Sequence, residues 1–204
     1  MNRLAAVVAT LLICSLAWCA QAGEYNKKLN IGDPAPAWKD LPGTDDKTHS
    51  LAELKDKDVV LVVFTCNSCP IAVAYEDRLI AFAKKHVGPD GKLAVVAINV
   101  NTVEADKLPK MKEKAKARGF EFAYLYDESQ QIAKDYGATY TPEFFVLNKE
   151  RKIVYMGAMD DTSTAANVKV NYLEPAVQAA LKGEKASTGE TLARGCLIKY
   201  ARPR

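Results

Sequence analysis

The chain has 204 residues, 49% of them hydrophobic, and its 28 basic and 25 acidic side chains give a formal charge of +3. A charge so close to neutral excludes the broad basic surface by which proteins bind nucleic acid. The length suits one domain with a well-buried core, and five cysteines are too few for a disulfide-rich scaffold.

The first 22 residues have the pattern of a secretory signal peptide. Arg3 gives a positive start, residues 4–20 form an uncharged apolar run, and Ala20-Gln21-Ala22 matches a signal-peptidase site. This run is shorter than the ~20 apolar residues of a transmembrane helix, although a membrane anchor remains the alternative. We therefore predict a signal peptide at 1–22 and a periplasmic or secreted protein that is not inserted in the membrane after cleavage.

Cleavage would remove Cys14 and Cys19 and leave three cysteines, one of them unpaired if the other two join. An odd number of cysteines in an exported chain suggests a redox function rather than a set of structural disulfides. We expect one domain at 23–183 and a polar C-terminal tail at 184–204.

The order of predicted elements indicates an α/β fold. Gly and Pro make the region before residue 58 a set of loops and a hairpin, and the β-branched run Val59–Phe64 is typical of a strand buried on both faces. Further strands are predicted at 93–100, 120–126, 144–147 and 153–156, with helices at 70–87, 104–118, 129–136 and 166–181. Alternating strands and helices favour parallel pairing, and the last two strands favour an antiparallel hairpin.

Cys66 and Cys69 are separated by two residues where the strand 59–64 gives way to helical spacing. If the helix begins near Cys66, its unpaired backbone N–H groups and the positive end of its dipole favour the thiolate of that cysteine. Cys69 lies about one turn further on, close enough to resolve a mixed disulfide. The pattern predicts a redox-active pair, with a structural disulfide as the alternative.

Half of a metal site is another interpretation of this spacing. A zinc site needs two more soft ligands, and the chain beyond the predicted signal offers only Cys196, His49 and His86. His86 falls at the far end of the predicted helix. We therefore expect no metal and no other cofactor.

Six motifs between residues 32 and 199 form a pattern of their own. They are GDPAP at 32–36, VVFTCNSCP at 62–70, AYEDRL at 74–79, AINVN at 97–101, YGA with TPE at 136–143, and GCLIK at 195–199. Together they resemble the peroxiredoxin-like, redoxin-domain branch of exported thioredoxin family proteins. The resemblance implies a thioredoxin-like fold, in which a β-α-β-α core and a β-β-α part share a central mixed sheet, with an N-terminal hairpin extension and flanking helices.

The resemblance also implies roles for individual residues. It places Cys66 at the nucleophile position, Cys69 at the resolving position and Pro142 at the cis-proline position beside the dithiol. Thr141 directly before that proline then has a backbone free to pair with an extended substrate.

The motif and the central strand depart from thioredoxin itself. Thr65 stands where thioredoxin has Trp, Asn67-Ser68 replaces Gly-Pro, and the central strand lacks the buried acid. Glu76 is our candidate for the missing proton acceptor, because it follows Cys69 by seven positions and shares its helical face. Solvation or pairing with an Arg is the alternative for Glu76.

Three further residues have open roles. Asn101 and Asp127 follow strands whose carboxyl ends should face the dithiol, so each could serve the site or cap the next helix. The tail is polar except around Cys196, which predicts a loosely ordered segment. The resemblance invites a third redox thiol at Cys196, and a buried small hydrophobe is the alternative.

The leading prediction is a thiol-disulfide oxidoreductase that exchanges disulfides with protein partners and depends on an upstream redox donor. A peroxide reductase comes second, since Cys69-Pro70 fits a peroxidatic cysteine but Cys66 stands where peroxiredoxins have Thr. A copper carrier comes third, with the two thiolates as soft ligands. Met156 and Met159 are further soft candidates, and core packing is the alternative for both. Copper carriers of this fold use a wider cysteine spacing and a late His, neither of which this chain has.

Overall fold

The computed structural model describes residues 23–88 and 91–201. The predicted signal peptide at 1–22 lies outside these residues, as do Cys14 and Cys19. Within the described ranges no helix is long and apolar enough to cross a membrane.

Strands and helices alternate in the predicted order. The strands are β1 (Leu41–Pro42), β2 (Thr48–His49), β3 (Val59–Phe64), β4 (Leu93–Asn99), β5 (Ala123–Tyr126), β6 (Tyr140–Thr141), β7 (Glu143–Leu147), β8 (Ile153–Gly157) and β9 (Cys196–Leu197). The α-helices are α1 (Pro70–His86), α2 (Leu108–Arg118), α3 (Gln131–Tyr136) and α4 (Leu173–Lys182). Short 3-10 turns occupy Leu51–Leu54, Glu104–Asp106 and Ala165–Asn167.

The central sheet has five strands in the order β5-β4-β3-β7-β8. Strand β4 pairs in parallel with β3 and β5, whereas β7 pairs antiparallel with β3 and β8. The short strands β1 and β2 form an antiparallel hairpin, and β6 pairs with β9. The mixed sheet, the hairpin β7–β8 and the N-terminal hairpin confirm the predicted architecture.

The core lies on both faces of this sheet. All six residues of β3 are fully buried, so the β-branched run predicted the burial correctly. Val63 packs on the side covered by α1, α2 and α4, while Phe64 packs on the side covered by α3. Phe64 meets Tyr136 and Phe145 edge to face, with ring centroids 5.3 and 5.7 Å away, and these contacts hold the end of β3 in place.

Several element boundaries differ from the prediction. The helix expected at 104–118 is interrupted, because Pro109 lacks a backbone N–H and fits only the first turn of α2. The last helix begins at Leu173 rather than near residue 166, and strand β5 begins at Ala123 rather than residue 120. Gly119 ends α2 with a φ of +64°, which confirms the predicted stop.

The prediction of a loosely ordered tail is wrong for residues 184–201. The carboxylate of Glu190 accepts backbone N–H groups from Glu24 and Tyr25 at 2.8 and 2.9 Å. Ile198 is buried in the core on the α3 side of the sheet. The tail is ordered because the Glu190 carboxylate, the backbone of β9 and the Ile198 side chain each find partners in the rest of the chain.

Candidate functional site

The site lies at the carboxyl end of β3, the usual side for sites in open α/β sheets. Cys66 and Cys69 follow β3, and β7 pairs antiparallel beside it with Glu143 opposite Phe64. The peptide bond between Thr141 and Pro142, just before β7, is cis as predicted. The structure thus brings both cysteines and the Thr-Pro pair together.

Helix α1 begins at Pro70, which confirms the predicted start at residue 70, and Cys69 is its N-cap. The helix does not begin near Cys66, so the argument that its dipole favours the thiolate of Cys66 is wrong. The ring of Pro70 disfavours helical backbone at the residue before it, and Cys69 is indeed extended with φ −80° and ψ 118°. The N–H of Ala72 donates to Cys69 Sγ at 3.4 Å, so the helix N-terminus faces Cys69.

Cys69 forms a disulfide with Cys196, 127 residues away, and the two Cα atoms are 6.0 Å apart. The sequence predicts Cys66 and Cys69 as the pair, and the structure corrects this prediction, because Cys69 is bonded to Cys196 instead. Cys66 is buried and is the free cysteine among the described residues. Cys196 therefore belongs to the site and is not simply a small hydrophobe.

Thr141 touches all three cysteines. Its Oγ1 lies 3.5 Å from Cys66 Sγ and donates to the carbonyl oxygen of Cys196 at 3.5 Å. Its carbonyl oxygen lies 3.1 Å from Cys69 Sγ, a contact that becomes a hydrogen bond when the thiol is reduced. One residue therefore contacts the sulfur atoms of Cys66 and Cys69 and the backbone of Cys196.

The backbone edge of Thr141 is not free, contrary to the prediction. Strand β9 covers it, with Cys196 opposite Thr141 and Leu197 opposite Tyr140. Beyond β9, the N–H of Ile198 donates to the carbonyl oxygen of Thr139 at 2.8 Å. The edge at which we expected an extended substrate holds a segment of the chain itself.

A buried carboxylate that the sequence analysis missed supports the loop between the cysteines. Asp106 accepts the N–H and hydroxyl of Ser68 at 2.8 and 2.6 Å and the side-chain amide of Asn101 at 3.1 Å. Asn101 in turn accepts the N–H of Lys199 at 3.1 Å. Asn101 thus contributes to the site. Asp106 follows the end of the same strand, β4, and its position there was the sequence signal that could have identified it.

Asp127 supports the next helix, which is the alternative that the sequence offered to a role in the site. Its carboxylate accepts the N–H groups of Ser129 and Ile132 at 3.0 and 2.9 Å and so caps the beginning of α3.

Glu76 lies near Cys66 but is engaged by two cations. Glu76 and Cys66 line the same pocket of about 20 Å³, which has room for one water molecule. Glu76 is buried and forms ion pairs with Lys114 and, at 3.1 Å, with Arg118. The pairing that we gave as the alternative is therefore present, and the role of proton acceptor stays a prediction.

Two ionisable groups at the site have a raised pKa. Burial raises the pKa of Glu143 to about 7, although its carboxylate accepts the N–H groups of Tyr140 and Thr139, which lower that pKa. Burial also raises the pKa of Tyr124 well above its usual range, and negative charge at Cys66 adds to the shift.

Nothing in the described ranges supports a metal centre. No three His, Cys, Asp or Glu side chains in residues 23–88 and 91–201 converge as metal ligands. Met156 and Met159 are buried on opposite faces of the sheet, as core packing requires. His49 and His86 pair with Asp45 and Glu174 instead.

Comparison with known proteins agrees with this architecture. The profile of the Redoxin family matches residues 30–172. The chain belongs to the Redoxin family. This membership confirms the predicted redoxin-domain branch of the thioredoxin-like superfamily and, at a general level, an oxidoreductase.

Solved structures similar to this redoxin come from several bacteria. A hypothetical protein of Sinorhizobium meliloti 1021 is 37% identical with a TM-score of 0.79, and the match covers 86% of this chain and 97% of that one. An uncharacterized conserved protein of Geobacillus kaustophilus is 30% identical with a TM-score of 0.79, covering 86% and 94%.

A thioredoxin domain of a thiol-disulfide oxidoreductase from Bacteroides vulgatus is 19% identical with a TM-score of 0.53, covering 63% of this chain and 89% of that one. At that identity it shows the shared fold alone. No curated protein sequence matches the chain significantly.

Proposed function

We propose that this redoxin is a thiol-disulfide oxidoreductase that exchanges disulfides with protein partners in an exported compartment. The observation that carries the proposal is a free thiol, Cys66, packed in one buried cluster with Cys69 and in contact with Cys196. A thiolate beside a disulfide is the arrangement that disulfide exchange requires. The signal peptide predicted at 1–22 supports the exported compartment.

The chemistry needs only the cysteines. In the reduced protein, one thiolate of the Cys66 and Cys69 pair attacks a partner disulfide, forms a mixed disulfide and expels the partner's other sulfur as a thiol. The second cysteine then displaces the partner, which leaves reduced, and the pair becomes a Cys66–Cys69 disulfide. An upstream dithiol returns two electrons, and Glu76 is the proposed acceptor of the thiol proton.

Reduction of insulin by dithiothreitol tests the proposal. The protein should accelerate the reaction, and Cys66→Ser or Cys69→Ser should each lower the rate by at least a hundredfold because each breaks the two-step exchange. Ser187→Ala, an exposed change in the tail, is the control that should keep the rate. A protein that does not exceed the uncatalysed rate, or a Cys66→Ser variant as fast as the parent, contradicts the proposal.

A peroxide reductase is the second candidate, and the Cys69–Cys196 disulfide favours it. Peroxide oxidises a thiolate to a sulfenic acid, and condensation with a second thiol gives a disulfide and water. In this reaction Cys69 would be oxidised and Cys196 would resolve it. Peroxide consumption in dithiothreitol that needs Cys69 and Cys196 but survives Cys66→Ser would establish this candidate in place of the first.

A further inference from the structure

The C-terminal clip, which we define as residues 195–201, lies along the cis-proline loop. Beyond the strand pairing of β9, its own N–H and O–H groups donate further hydrogen bonds to the rest of the chain. They run from Ile198 N to Thr139 O, from Lys199 N to Asn101 Oδ1, from Ala201 N to Gln130 Oε1 and from Tyr200 Oη to Ala138 O, at 2.6–3.1 Å. The clip is thus bound in an extended form with a cysteine at the reacting sulfur.

We propose that the clip is a built-in substrate, an inference that rests on the proposed function. A partner polypeptide binds extended along Tyr140 and Thr141 after the clip has left, with its own cysteine in the place of Cys196. Cys69 is the sulfur that joins the partner, and Cys66 is the thiol that releases it. These two roles are the reverse of those that the family resemblance implied.

The position of Cys69 favours its role as the joining sulfur. It caps α1, so the N–H of Ala72 and the positive end of the helix dipole stabilise its thiolate. Cys66 lies before the helix, and its sulfur has hydrogen-bond contacts with the hydroxyls of Thr141 and Ser68 at 3.5 and 4.0 Å. Cys69 is also the cysteine that forms a disulfide with the strand lying along β6, through Cys196 of β9.

The clip shows which partner sequence the edge accepts. A Cβ at Gly195 would overlap the carbonyl oxygen of Thr141, so the residue before the partner's cysteine must be Gly. Leu197 is 63% exposed and accepts any side chain, whereas Ile198 is 6% exposed and packs in the core. The partner class is therefore an extended segment with the pattern Gly-Cys-any-aliphatic.

The exchange is balanced in sulfur and electrons. The Cys66 thiolate attacks Cys69 Sγ, the bond from Cys69 to Cys196 breaks, a Cys66–Cys69 disulfide forms, and Cys196 leaves as a thiolate that takes a proton from water. One disulfide replaces another, so no outside oxidant or reductant is consumed. With a partner in place of Cys196, the same step completes the reduction of that partner.

Alkylation of the oxidised, unmutated protein tests the first half of the inference. N-ethylmaleimide at neutral pH, followed by acid quenching and mass spectrometry, should find label on Cys196 together with a Cys66–Cys69 disulfide. The Cys66→Ser variant should show no label on Cys196, since nothing can release it. Label on Cys66 alone, with the Cys69–Cys196 disulfide intact in the unmutated protein, overturns the exchange.

A peptide with the sequence of residues 194–200, activated as a mixed disulfide with thionitrobenzoate, tests the roles. In the reduced Cys196→Ser background, an added Cys66→Ser should accumulate a stable peptide adduct on Cys69, and an added Cys69→Ser should react at least tenfold more slowly. A stable adduct on Cys66 in the Cys69→Ser background, formed at the faster rate, overturns the assignment.

Two altered peptides test recognition in the same assay. Replacing the peptide's Ile by Asp, or its Gly by Val, should slow adduct formation at least tenfold. The Asp peptide loses the buried aliphatic contact, and the Val side chain overlaps the carbonyl oxygen of Thr141. Equal rates for the three peptides would overturn the partner class. If insulin reduction also fails in the unmutated protein, the proposed function fails as a whole, whereas failure of the peptide assays alone removes only the built-in substrate.

Discussion

Thr141 and Glu143 flank Pro142 and connect the chemistry of the site to its backbone. Thr141 contacts the sulfur atoms of Cys66 and Cys69. Glu143 holds the N–H groups of Thr139 and Tyr140 at 2.8 and 3.0 Å and so fixes the turn that leads into β6. A single buried carboxylate therefore supports the edge to which the clip binds.

The ionisation of Glu143 predicts a pH-dependent stability. Its pKa rises from 4.5 in water to about 7 through burial, with Glu190 adding to the shift, so the folded chain holds this proton more tightly than the unfolded chain does. The resulting stabilisation is complete below pH 4.5 and is lost as the pH rises to 7, by at most ~3 kcal/mol.

Urea unfolding of the protein and of Glu143→Gln between pH 4.5 and 7.5 measures this contribution. The difference in unfolding free energy between the two should shift in favour of the variant as the pH rises, since Gln stays neutral. Other carboxylates titrate equally in both proteins and cancel in the difference. A difference that stays constant over this range contradicts the assignment of the raised pKa to Glu143.

At the scale of elements, α1 and β9 decide the form of the site. Pro70 prevents the helix from extending back to Cys66, so the two cysteines of the motif face different surroundings. Strand β9 approaches β6 so closely that Gly195 has no room for a side chain. The clip therefore depends on a glycine as well as on a disulfide.

Gly195→Ala should displace β9 from β6 without removing any cysteine. The added Cβ would overlap the carbonyl oxygen of Thr141, and the strand must move to relieve it. Hydrogen exchange in the reduced protein should show that the Ile198 amide loses at least tenfold in protection. Gly88→Ala, where nothing lies within 4 Å of the new Cβ, is the matched control that should keep it. Equal protection in both variants would show that β9 tolerates a side chain at residue 195, which would contradict the prediction.

At the scale of the whole molecule, a buried ion pair joins α1 to the loop after β8. Asp160 is paired with Arg78 and accepts the hydroxyl of Tyr75 at 2.9 Å. The guanidinium of Arg78 also lies over the Tyr75 ring, 3.9 Å from its centroid. Helix α1, which Cys69 caps, is thereby held to the loop after β8.

Asp160→Asn should lower the free energy of unfolding by about 3 kcal/mol, because it leaves the largely buried Arg78 without its counter-charge. Urea unfolding at pH 7 measures the loss. Glu113→Gln, which breaks the exposed pair with Lys110, should cost far less, because solvent screens that pair. Similar losses in the two variants would show that the buried pair contributes no more than a surface one.

The sequence by itself determined the elements of this redoxin and the candidates for its site. Val59–Phe64 encodes its own burial through an unbroken apolar run rich in Val, and Gly119 marks a helix end through its backbone freedom. Cys66 and Cys69 stand out by spacing, and Pro142 by its place before a strand. These features are local, since each depends on residues that are neighbours along the chain.

Only the tertiary structure decided which groups meet. Cys69 pairs with a cysteine 127 residues away, and Asp106 reaches the loop between the cysteines from beyond β4. The tail that carries Cys196 has no helical or strand periodicity, so its course is set by the groups it meets: Thr141, Asn101 and the pocket for Ile198. Such contacts depend on how distant segments pack, and nothing within either segment specifies them alone.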